Sequence, residues 1–223
     1  MHSAMNAADA ALQRSFPAVM VPRREPVAPM QTFGERLLIA ANGVFLEVNQ
    51  PWLTLVRRIA SYAVPTAIPY GEVAQSTELV CEHFPATLVG EFARMAREAS
   101  PNETGAWIVW NRETSQFRLA PVTILSHSTA ALRYEPPVLG ANEVRVVDCH
   151  SHGLHPAFFS STDDADDLHE IKFSLVIGNC LSTTPSMALR LCAKGIFETV
   201  ERVPAAWYAA VKMVLATDAT EAV

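Results

Sequence analysis

No C-x-x-C occurs in this chain: its four cysteines, Cys81, Cys149, Cys180 and Cys192, are widely spaced. That excludes a zinc ribbon and a thioredoxin-like motif, and free thiols are expected. No apolar run approaches the roughly 20 residues a membrane span needs. Basic charge is also short, with 17 Lys and Arg against 23 Asp and Glu for a formal net charge of −6. A surface for non-specific nucleic-acid binding is therefore not expected. The first thirteen residues lack a charged start followed by an apolar core. A soluble protein of bacterial-cytoplasmic type, with neither nucleic acid nor membrane as partner, is the expectation. Two catalytic patterns are missing as well, the H-E-x-x-H of zincins and the H-x-E with P-C-x-x-C of nucleoside deaminases. No internal repeat is present.

What the sequence does contain is a constellation around Cys149-His150-Ser151-His152-Gly153 and Ser160-Ser161-Thr162-Asp163. The preceding run Val144, Arg145, Val146, Val147 is β-branched and apolar, so it reads as a buried strand ending at the histidines. Side chains two apart on a strand share a face. His150 and His152 can thus present two imidazoles to one ion, while Cys149 points to the opposite side as a core residue. Ser160 to Thr162 resembles an N-cap region, and residues 163–171 then read as a short helix whose first turn holds Asp163, where a negative charge is favoured. Two histidines and one aspartate leave a zinc ion an open position for water, as catalytic sites do. An H-x-H this far along leaves too little chain for a barrel of about 250 residues.

Upstream, Leu88, Phe92, Met95, Ala96 and Ala99 show helical spacing, Pro101 and Asn102 interrupt it, and residues 106–110 read as a strand. Glu103 sits at that junction. Alone, Glu103 would be an exposed loop acid, and a lone H-x-H would be a surface pair.

Together these residues spell H-x-H-x(7)-S-x-x-D with an upstream glutamate in an Asn-Glu-Thr-Gly segment. The pattern resembles that of the JAMM (MPN+) metalloproteases, a family of zinc isopeptidases and peptidases, over residues 84–200. The resemblance implies Zn²⁺ held by His150, His152 and Asp163, with Glu103 as the general base taking a proton from the zinc-bound water. Ser160 would donate to the oxyanion formed when that water attacks a carbonyl. One departure is Gly153, where family members usually carry proline. The added N-terminal module also resembles the bacterial PRTRC system protein A family, in which such a domain accompanies a ubiquitin-like protein and an E1-like enzyme. That likeness implies a peptide or ubiquitin-like protein tail as substrate and an E1-like partner. Two other readings stay open: a non-catalytic MPN-type scaffold, and a zinc hydrolase of a small amide.

The expected architecture is α/β (α+β): a JAMM/cytidine-deaminase-like mixed sheet flanked by helices, with a small N-terminal α+β module. Residues 1–30, with four prolines, are expected as an extended arm. Residues 31–83 form the module, with a hairpin of residues 37–40 and 44–48 around Asn42-Gly43 and a helix opened by Pro51 through residue 60. The metallopeptidase domain is residues 84–223, with strands at 106–111, 116–125, 144–150 and 173–177, a hairpin around Lys194-Gly195, and a terminal helix at 204–216. Residues 64–73 are expected as a broken extended stretch. Asp164, Asp166, Asp167 and Glu170 read as solvated acids of a helix start, and His155 and His169 as loop or surface residues.

Overall fold

The computed structural model describes residues 5–64 and 66–221. Residues 1–4 of the expected arm, and Pro65, lie outside the described residues. The chain divides into two compact units, residues 1–83 and 84–223.

The first unit is built on a five-stranded sheet. Helix α1 (Ala7–Ser15) is capped by Asn6, whose side-chain oxygen accepts from the Ala8 amide at 2.8 Å. Strands β1 (Ala18–Met20), β2 (Gly34–Ala40), β3 (Gly43–Gln50), β4 (Leu53–Ala60) and β5 (Ser76–Leu79) lie side by side in that order, β1 parallel to β2 and the rest antiparallel. Two expectations are corrected here. The N-terminal arm is not uniformly extended: it contains α1, and β1 joins the sheet so that Val21 is buried with Leu38, Ala40 and Phe45. Residues 53–60 are a strand rather than a helix. Pro51 and Trp52 form the two-residue turn of a hairpin, with Gln50 opposite Leu53, and Leu53 and Leu55 are both buried. Period-two burial decided this segment over the proline signal.

Asn42 makes its hairpin as expected and does one thing more. Its side-chain amide donates to the Val73 carbonyl and accepts from the Val73 amide, fixing the extended stretch that returns to β5.

The second unit is a six-stranded mixed sheet flanked by helices. Its elements are α2 (Ala86–Ala99), β6 (Gly105–Asn111), β7 (Gln116–Pro121), β8 (Thr123–His127), β9 (Leu132–Glu135), β10 (Glu143–Ser151), α3 (Ser161–Asp167), β11 (Ile171–Gly178), β12 (Ser186–Ala193), β13 (Ile196–Thr199) and α4 (Ala205–Glu221). The strand order is β13-β12-β11-β10-β6-β7, with only the β10–β11 pair parallel. The expected strand over residues 116–125 is broken after Pro121, and β8 instead pairs with β9 as a separate two-stranded ribbon.

The two faces of this sheet differ in chemistry. On one, Phe84 packs edge-on against Phe117 and Phe173 and tilted against Trp207, placing α4 over buried apolar side chains. Gly90 lets α4 approach α2, since a Cβ there would meet Val214 at 3.0 Å and the Ala210 carbonyl at 3.1 Å. On the other face lie Asp148, His150, Lys172, Ser174 and Arg190, brought together by the β10–β11–β12 register and the alternation of the pleat. A register shift in β10 between Arg145 and Val147 puts Arg145 on that face too, where it stacks on Trp107 and pairs with Asp148. Helix α3 crosses this polar face between the parallel strands.

Candidate metal centre

His150 is the last but one residue of β10 and His152 follows its end, so both rings emerge on the polar face. The His152 amide donates to the Ile177 carbonyl at 2.9 Å, which extends the β10–β11 pairing to this residue. Its Nδ1 lies 3.3 Å from the Pro156 carbonyl, which can only accept; the proton therefore sits on Nδ1 and Nε2 keeps a lone pair. That Nε2 is 3.2 Å from Nε2 of His150.

Asp163 enters from α3. Ser160 caps the helix in a capping box: its hydroxyl accepts from the Asp163 amide, and the Ser160 amide returns a bond to the Asp163 carboxylate at 2.6 Å. The Ser160 hydroxyl also donates to the same carboxylate oxygen, Oδ2, at 2.7 Å. With Oδ2 held by two donors, Oδ1 faces His150 Nε2 at 3.3 Å.

These separations suit a small cation. Zinc bonds of about 2.0–2.1 Å in a tetrahedron place ligand atoms roughly 3.3 Å apart, and the contacts here are 3.2 and 3.3 Å. All three ligand atoms lie within 4.8 Å of one another. Burial holds both imidazoles below their ordinary pKa, so they are neutral with lone pairs to share. The donor set fits a divalent ion.

Glu103 stands in the same cleft, a cavity of about 460 Å³ lined also by His150, His152, Ser160 and Asp163. Its backbone is gripped from both sides: its amide donates to the Ser128 carbonyl at 2.8 Å, and His127 Nδ1 donates to its carbonyl at 2.8 Å. Thr104 then pairs with Ser151 of β10 through the Ser151 hydroxyl and amide. Burial, helped by the nearby charge of Asp163, raises the Glu103 carboxyl to about 7. The Asp163 carboxylate beside two neutral imidazoles leaves negative charge that a cation would compensate.

Residues 85–192 match the family described as prokaryotic homologs of the JAB domain. Over those residues the second unit is similar to JAB domains. Residues 6–80 match a domain of unknown function, DUF2016. Among solved structures, the solution structure of protein DSY2949 from Desulfitobacterium hafniense is similar at 19% identity with a TM-score of 0.38, covering 52% of this chain and 87% of that one. No curated protein matches.

Within the second unit the structure corrects one expectation about charge. The acids after Asp163 are not simply solvated: Asp167 is buried and bonded to Lys172, Arg190 and Ser174, Asp164 pairs with Arg190, and Glu170 pairs with Arg145. Only Asp166 stands as an exposed acid lining the cleft. His155 and His169 are exposed, and Cys149 is a buried thiol on the face opposite His150. Sequence reasoning missed Asp148, Lys172 and Arg190. A signal existed: Lys172 and Arg190 interrupt otherwise apolar strands, and charges in such places are seldom buried without partners.

Among the described residues no helix is long and apolar enough to cross a membrane.

Proposed function

We propose that the JAB-like domain is a zinc-dependent peptidase or isopeptidase that hydrolyses an amide bond. The observation that carries this reading is the convergence of three neutral or anionic ligand atoms at zinc-like spacing beside an acid, Glu103, whose own affinity for a proton is raised. Bound zinc would supply Lewis acidity to water and to a carbonyl oxygen. His150, His152 and Asp163 would hold it. With zinc held there, Glu103 would be anionic and would take a proton from water as the oxygen adds to the carbonyl carbon. The C–N bond then breaks, and Glu103 delivers that proton to the leaving amine.

Ser160 has two tasks in this scheme. Its hydroxyl holds Asp163 Oδ2 at rest, and rotation about its side-chain bond would free the proton for the oxyanion. The strand β9 forms one wall of the cleft through Leu132, Arg133 and Tyr134. An extended chain laid along that wall would satisfy its backbone there. On this reading the substrate is a peptide tail, such as that of a ubiquitin-like protein, with an E1-like enzyme as partner in the cytoplasm.

Zinc content and turnover test the proposal together. Expected are about one zinc per chain, its loss in His152→Ala, and loss of cleavage in Glu103→Gln with zinc retained. Zinc binding with no turnover of any tail-bearing or small amide would favour the scaffold. Cleavage of small amides irrespective of chain length would favour the small-amide hydrolase.

A further inference from the structure

Helix α3 presents a problem of location. It has seven residues, STDDADD, and its one buried side chain is the charged Asp167. A helix so short and polar has neither the length nor the apolar stripe that ordinarily fixes a helix on a sheet. Yet it carries Asp163.

The contacts that fix it converge on Arg190. This residue lies in β12, in register with Ser174, and is only 4% exposed. Its guanidinium carbon lies over the rings of both Phe159 and Phe197, 4.0 and 4.3 Å from their centroids. In its plane, Nη2 donates to Asp167 Oδ2 at 2.8 Å and Nη1 donates to Asp164 Oδ1. Phe159 immediately precedes Ser160, Asp164 immediately follows Asp163, and Asp167 ends the helix. One planar cation thus holds the chain on both sides of the Ser160–Asp163 pair. Lys172 continues the brace: Nζ donates to Asp167 Oδ1 at 2.7 Å and to Asp148 Oδ2 at 2.6 Å. Asp148 sits two residues before His150 on the same face of β10.

Resting on the metal-site reading above, we infer that Arg190 is a positioning residue for the metal site. Through Phe159, Asp164 and Asp167 it sets where the Asp163 carboxylate stands, while Lys172 ties the same helix to the strand that bears the histidines. The role needs a guanidinium, because an ammonium has neither a flat face to lie against two rings nor a fork to engage two carboxylates at once.

The test is zinc affinity of the full chain, measured by competition with a chromogenic chelator, for the parent, His150→Ala, Arg190→Lys and Asp164→Asn. Circular dichroism and melting of the metal-free forms check folding. Groups that orient metal ligands typically change metal affinity by about 10- to 100-fold when removed, and a loss in that range is expected for Arg190→Lys. Asp164→Asn, at a side chain 51% exposed, should stay folded and lose zinc affinity by a smaller factor. The d–d absorption of the cobalt(II)-substituted protein should shift in both variants. A merely structural Arg190 would lower the melting temperature and leave zinc affinity and the cobalt spectrum of the folded protein unchanged, which would overturn the inference. If Arg190→Lys does not fold, parental zinc affinity in Asp164→Asn overturns it alone. A parent that binds zinc no better than His150→Ala sinks the metal-site reading itself, a different result from parent-like binding in the Arg190 and Asp164 variants.

Discussion

Gly153 lies directly against the carbonyl of Pro101: a Cβ at residue 153 would stand 2.1 Å from that oxygen. The turn leaving His152 and the turn entering Glu103 are therefore packed backbone to backbone. Gly153 also has φ of +53°, a left-handed conformation that costs other residues energy. Proline's fixed φ near −65° is incompatible with this turn.

Gly153→Ala should therefore destabilise the protein by about 1–3 kcal/mol, the range for a strained backbone position, and Gly153→Pro by more. Chemical denaturation measures both. A Gly153→Pro variant as stable as the parent would show that this turn is not the one formed in solution.

Glu103 should cost the metal-free protein stability at neutral pH. Burial and then Asp163 raise its carboxyl to about 7 from an ordinary 4.5. A raised carboxyl binds its proton more tightly in the folded state, so its contribution is full below pH 4.5 and is lost as pH rises towards 7. Metal-free Glu103→Gln should consequently melt a few degrees higher than the parent at pH 8, with the difference closing near pH 4. Equal melting temperatures at pH 8 would contradict the burial of this charge.

Zinc should raise the melting temperature of the parent. Ligand at a hundredfold excess over its Kd stabilises by about 2.7 kcal/mol, and His152→Ala should abolish the increment by removing one of three ligands. Scanning calorimetry with and without a chelator reads this directly, and a zinc-induced increment that survives in His152→Ala would place the ion elsewhere.

Acid should loosen α3 first. Burial favours the neutral form of Asp167, but Lys172, Arg190 and Ser174 outweigh it and hold the carboxyl at about 2, against an ordinary 3.8. A depressed carboxyl stabilises fully above its unfolded pKa, and that contribution, about 2 kcal/mol, disappears as pH falls from roughly 4 towards 2. Stability of the parent should fall through that window, and in Asp167→Asn this component should be missing. The variant should also be less stable at pH 7, because Lys172 and Arg190 stay buried with one partner fewer. Identical pH profiles for the two proteins would refute the assignment.

What the sequence determined by itself is the local chemistry. Alternation along residues 147–152 is enough to place His150 and His152 on one face, and the Ser160–Thr162 run is enough to mark a helix start, because both depend on contacts within a few residues. The Asn42-Gly43 hairpin was legible for the same reason. Where local signals conflicted the sequence misled: Pro51 suggests a helix start, but Leu53 and Leu55 are buried and their strand pairs with β3 and β5, and tertiary context outweighs propensity within a segment. The approach of Glu103 to residues 47 and more positions later, the grip of Ser128 and His127 on its backbone, and the pairing of Arg190 and Lys172 with Asp164, Asp167 and Asp148 were decided only by tertiary structure. Those contacts depend on strand order and register, which bring together residues that no local spacing relates, and on a low-dielectric face where a charge must find its partner or stay out.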